Sequence, residues 1–115
     1  NNLYFLFKLK NDNIRRIMKL NKSVATLYIM NPNCKDPALP SYDYVDLYFK
    51  KYPIINLNNL YIKKLIEELY PKNYQEEYFA FTIFLTGEII KEKGVMPNPM
   101  SEIEHIVAEK IQYIP

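Results

Sequence analysis

Cysteine and histidine are nearly absent from this 115-residue chain, with Cys34 and His105 the only ones of their kind. One cysteine excludes an internal disulfide framework and a cysteine-based zinc cluster, and one histidine leaves a His/Cys metal site almost no ligands. Two glycines, Gly87 and Gly94, are too few to build a phosphate-cradling loop. Tryptophan is missing altogether. No apolar run approaches the roughly 20 residues that a membrane-spanning helix needs, because even the longest, Tyr78–Leu85, soon meets Glu88. Nor is there a signal-peptide layout of basic start, apolar stretch and small-residue cleavage site. Compartment and localisation stay unassigned.

The rest is ordinary for a single globular domain. Hydrophobic residues make up 49% and charged residues 24%, enough for a real core. The lean towards Ile, Asn, Lys and Tyr reads as an AT-rich coding genome. Starting NNLYFLF without an initiator Met, the chain is expected to be processed or a piece of something longer. The net charge of +2 is unevenly spread: residues 1–24 carry Lys8, Lys10, Arg15, Arg16, Lys19 and Lys22 against Asp12 alone, so the other 91 residues sum to −3. A basic end attracts phosphate backbones or an acidic partner, although such a run is also a common solvated helix face.

Read in order, Leu3–Lys10 is short, aromatic and alternating at its end, and predicts a strand. Asn11-Asp12-Asn13 offers turn and capping residues, and Ile14, Ile17, Met18 and Leu20 predict a helix over 13–21. Val24–Met30 reads as a buried strand. Three prolines in Asn31–Pro40 predict an ordered loop. Ser41 caps an expected helix through Tyr52, with Tyr44, Val45, Tyr48, Phe49 and Tyr52 in one stripe. Pro53–Leu57 is a short strand candidate. Asn58 or Asn59 starts another helix, with Leu60, Tyr61, Leu65, Ile66 and Leu69 facing inward and Pro71 as its stop. Ser101 and Glu104 form a capping box, which predicts a last helix.

The stretch 78–95 decides the fold. As one helix it would have Asn73 and Glu76 at its start and Gly94 at its end. As a hairpin it would turn at Thr86-Gly87, since glycine costs about 1 kcal/mol inside a helix but suits a positive-φ turn. Tyr78–Leu85 is rich in residues that fit a pleated surface. The alternating order of the other elements favours the hairpin, giving an α/β fold with strands and helices in the order βαβαβαββα, a central mixed sheet and helices on both faces.

That order resembles the thioredoxin fold. Phe84, Gly87-Glu88 and Gly94 are similar to the closing hairpin of that superfamily, and Asn31-Pro32-Asn33-Cys34 looks like its strand-to-active-site turn. The resemblance implies a single thioredoxin-like domain over 1–115. It also implies that dithiol chemistry is lost. Pro37 stands where the resolving cysteine belongs, Phe79 where the cis-proline belongs, and Tyr28 where the buried acid belongs.

The functional expectation is therefore a non-catalytic binding or structural module, with no cofactor and no metal and with a protein partner. Tyr42, Tyr44 and Tyr48 are its candidate contact residues, because exposed tyrosines offer large area at low entropic cost. An enzymatic alternative is a monothiol oxidoreductase through Cys34, activated if it lies at a helix N-terminus beside Lys35. A third class is a nucleic-acid-associated subunit that uses residues 8–22, with Arg15, Arg16 and Lys19 as its binding residues. Lys50 and Lys51 lie near the tyrosines but far in sequence from that basic cluster.

Overall fold

The computed structural model describes residues 14–34, 42–55, 57–93 and 102–115. Five strands and one helix follow each other as β1 (Ile14–Met30), β2 (Tyr44–Leu47), β3 (Lys50–Ile55), α1 (Asn59–Leu69), β4 (Tyr78–Lys93) and β5 (Glu102–Tyr113). The strands close into a barrel in the order β1-β2-β3-β5-β4, and β4 pairs back onto β1. All pairings are antiparallel except that of β3 with β5. The alternating α/β architecture expected from the sequence is not the fold. One helix, α1, lies between β3 and β4.

Each replaced element has a local reason. Of residues 13–21, expected as a helix, those described, 14–21, are the first half of β1. Ile14 to Leu20 lie along β4 from Glu92 to Gly87, and closing the barrel outweighs a helical preference worth a few tenths of a kcal/mol per residue. The register slips between Leu20 and Ser23, where Lys22 has a φ of 50° and its backbone N–H donates to Thr86 Oγ1 at 3.1 Å. A bulge of this kind bends a strand. It lets β1 pair with β4 throughout and with β2 only near its end.

Within the expected helix of 41–52, the residues from Tyr44 onward belong instead to the β2–β3 hairpin. Val45 and Leu47 are buried while Tyr44 and Asp46 point to the other face, the period of two that a strand requires. The last element, expected as a helix, is β5. Its capping box was a local signal worth about 1 kcal/mol, overridden by a ladder with β4 from Glu102 to Tyr113. Ser101 itself lies outside the described residues, as do Leu3–Lys10, Lys35–Pro40 and Gly94.

The central stretch is neither hairpin nor helix. β4 continues through Thr86-Gly87, where its register with β5 shifts, and Gly87 stands opposite Leu20 on one side and Ala108 on the other. Glycine is required there by close approach, since a Cβ would stand 2.3 Å from the Val107 carbonyl oxygen. Phe79, placed by the resemblance at a redox proline, is a buried core residue of β4.

The barrel is filled by alternate residues: Ala25, Leu27 and Ile29 from β1, Val45 and Leu47 from β2, Tyr52 and Ile54 from β3, Phe81, Ile83, Leu85 and Ile89 from β4, and Ile106 and Ala108 from β5. α1 starts as expected at Asn58, whose side chain accepts from the Tyr61 N–H at 3.1 Å. It buries Ile62 and Leu65, whereas Leu60 and Leu69, expected inward, are exposed. Tyr70, just after it, caps the edge of β4. Its hydroxyl donates to the Ala80 carbonyl at 2.7 Å and accepts from the Ala80 N–H at 3.0 Å.

Candidate binding groove at the open seam

One junction of the barrel is incomplete. β3 pairs with β5 only at Ile54–Ile106 and Ile55–Val107. Before those pairs Lys50–Pro53 runs beside Ile103 and Glu104 with no ladder between them. The gap is a groove of about 590 Å³ lined by Tyr42, Lys50, Lys51, Pro53, Lys91, Ile103 and Glu104.

Strand alternation explains why the groove is charged. Lys50 precedes the core residue Tyr52 by two positions, Glu104 precedes Ile106 by two, and Lys91 follows Ile89 by two. All three therefore continue the inward face beyond the end of the apolar core. There the barrel opens to water, and apolar residues give way to ions. Lys91 stands opposite Glu104 on one side and opposite Arg15 on the other. The basic N-terminal half of β1 thus reaches the rim of the same opening.

Lys50 forms an ion pair with Glu104 across the seam. The hydrogen bond to that carboxylate raises the Lys50 pKa above the ordinary lysine value, so the ammonium keeps its charge. Its Nζ also lies 5.2 Å from the centroid of Tyr52, and Lys51 Nζ lies 5.3 Å from that of Tyr44. Both distances fall within cation–π range. Tyr44 is braced in turn: its ring stacks on Tyr28 at 4.6 Å, meets Tyr78 edge-on at 5.3 Å and touches Tyr42 at 6.3 Å. Burial, first of all, raises the pKa of both Tyr44 and Tyr78, so these phenols stay neutral hydrogen-bond donors. The outcome is a tyrosine platform on β1, β2 and β4 leading into a lysine-lined groove.

The residues singled out from sequence separate on this surface. Tyr42 lines the groove and its ring meets that of Tyr44, and Arg15 stands opposite Lys91 at the rim. Tyr48 sits at the β2–β3 turn. Arg16 pairs with Glu88 at 2.8 Å, and Lys19 stands opposite the same glutamate, so these two serve the β1–β4 contact. Cys34 lies in the turn after β1, where its N–H donates to the Asn31 carbonyl at 3.1 Å. Lys35 and the residues that would continue a helix from Cys34 lie outside the described ones. His105 is buried on β5 with Nε2 3.2 Å from Glu92 Oε1. Among the described residues no cluster of His, Cys, Asp or Glu could hold a metal ion, and no helix is long and apolar enough to cross a membrane.

Sequence reasoning missed Lys91 and Glu104 outright and set aside Lys50 and Lys51 as too isolated. A period-two reading of 50–54 and 104–108 would have placed Lys50 and Glu104 on the core-facing side of their strands, where a charge marks the end of a core. Comparison with known protein families, characterised proteins and solved structures finds no match to this chain.

Proposed function

We propose that this chain is a binding module for single-stranded nucleic acid, which lies in the groove at the β3–β5 seam. The observation that carries the reading is the convergence of Lys50, Lys51 and Lys91 with Tyr42 in one open groove, beside a stacked tyrosine platform. Lysines neutralise phosphates without sequence preference, and aromatic faces accept unpaired bases. The five-stranded barrel supports the reading by fold-level analogy with the oligonucleotide/oligosaccharide-binding barrel, which binds such ligands across the face of its second and third strands. Arg15 at the rim gives the basic N-terminal half of β1 a part in the same surface.

The test is fluorescence anisotropy with labelled single-stranded and duplex oligonucleotides across a salt series. Single strands bind more tightly than duplex, affinity falls with salt, and Lys50→Glu with Lys51→Glu abolishes the signal. Binding that ignores both substitutions, or none at low salt, rejects the proposal.

A second reading rests on the edge of β3 at Lys50–Pro53, which has no ladder partner on its β5 side among the described residues. An extended peptide can add to such an edge as a further strand, which would make the chain a protein-binding module. Peptide capture that survives reversal of the lysines, with no affinity for nucleic acid, selects this second reading.

A further inference from the structure

Tyr48 and Phe49 form the two-residue connection between β2 and β3, closed by the Leu47–Lys50 pair. Their φ angles are 53° and 63°. Two consecutive positive φ values mark the type I′ turn, whose twist suits a tight hairpin and whose usual residues are Asn-Gly or Asp-Gly. A bulky side chain in the left-handed region is a genuine outlier. This chain, rich in asparagine, places two aromatics there instead.

Burial does not offset that strain. Tyr48 is 62% exposed and Phe49 fully exposed, and neither ring packs against another aromatic ring among the described residues. Local strain retained without a packing gain points to a function at that site. The position indicates which one. Phe49 is followed directly by Lys50 and Lys51, both in the groove lining, so the tip continues the proposed binding surface. A rigid two-residue turn presents the ring with little entropy left to lose, beside two cations able to hold neighbouring phosphates.

We propose that the Tyr48–Phe49 hairpin tip is a base-stacking subsite, at which Phe49 takes an unpaired base against its ring while Lys50 and Lys51 hold the adjacent phosphates. The assignment rests on the groove reading and extends it beyond the groove. It also predicts that the tip is a poor choice for stability and a good one for binding.

Titration of a single-stranded oligonucleotide carrying the fluorescent base 2-aminopurine, followed by anisotropy and base quenching, separates these effects. Phe49→Ala weakens binding roughly 5- to 100-fold, the range expected for one stacked base, and removes the quenching. It leaves the salt slope unchanged, because no phosphate contact is lost. Phe49→Trp restores both signals. The Tyr48→Asn, Phe49→Gly pair binds as weakly as Phe49→Ala yet melts at a higher temperature, which excludes unfolding as the cause. If Phe49→Ala binds like the parent chain while Lys50→Glu and Lys51→Glu abolish binding, the tip assignment fails and the groove stands. If the parent chain binds no single strand, both fall. A lower melting temperature for the Asn-Gly hairpin overturns the tip assignment, since the rings would then serve the fold. So does Phe49-dependent binding to anionic lipid vesicles in place of oligonucleotides.

Discussion

The two sides of the barrel are built to different standards. On one side β1, β4 and β5 are zipped together, with β4 paired to β1 from Tyr78 to Glu92 and to β5 from Ile83 to Lys93. On the other side β3 meets β5 at two register positions only. The zipped side buries the large apolar residues and tolerates no extra atom at Gly87. The open side carries lysines, a glutamate and tyrosines around water. Stability and binding are thus separable in this molecule, because backbone groups already committed to a ladder cannot also receive a ligand. Substitutions on one side should move melting and leave binding of the surviving fold intact, and those on the other should do the reverse.

The largest effect falls on the zipped side. Leu27→Ala, in the middle of the core, should cost about 2–5 kcal/mol, read as a loss in the urea midpoint with an unchanged m-value. A midpoint that hardly moves would contradict the core placement of Leu27. Gly87→Ala should cost about 1–3 kcal/mol or more, because the clash is with backbone and not with a mobile side chain. That measurement also tests the close approach of β4 to β5 at Gly87.

Smaller effects come from edges. Tyr70→Phe removes both hydrogen bonds to Ala80, with an expected loss of about 1–2 kcal/mol in thermal or urea unfolding. Binding should not change, since this hydroxyl serves the zipped side. On the open side, Lys50→Ala with Lys51→Ala should leave the melting temperature within a degree or two. It should lower the slope of log K against log salt by about 1.4, the release expected for two phosphates on a single strand. The smallest effect belongs to Glu104→Gln. It frees Lys50 from its carboxylate partner and should tighten strand binding a few-fold. It should also lower the raised pKa of Lys50. In the parent chain the Lys50–Glu104 contact is fully present below the ordinary lysine pKa and is lost as pH climbs through the raised one, so binding should not vary with Lys50 titration at neutral pH.

The local character of several segments was legible without the fold. Val24–Met30 is a strand, Asn58 caps a helix that ends before Pro71, and Tyr78–Leu85 belongs to a strand buried at every second residue. In these places composition, capping and tertiary demand agree. Elsewhere a helical period and a strand period were both present, as in Tyr44–Tyr52 and Ile103–Ile111. Spacing alone could not choose between them. The candidate site was less legible still. Tyr42 and Tyr44 were visible as an aromatic concentration, but Lys91 and Arg15 are 76 positions apart in the chain, and only the β1–β4 register makes them neighbours. Glu104 looked like half of a capping box and is instead the carboxylate across the seam from Lys50.

By itself the sequence determined the absences: no disulfide, no cysteine-based zinc cluster and no glycine-rich phosphate loop, since each demands residue types that are simply not there. It also determined which residues had to be buried somewhere. Only the tertiary structure decided that most of those residues line a closed barrel and not a layered sheet. Ladder hydrogen bonds and side-chain packing between strands far apart in sequence outweigh local preferences of a few tenths of a kcal/mol per residue. The groove follows from that closure, because a barrel that runs out of apolar residues at one end and leaves one seam unzipped exposes its last inward-facing charges.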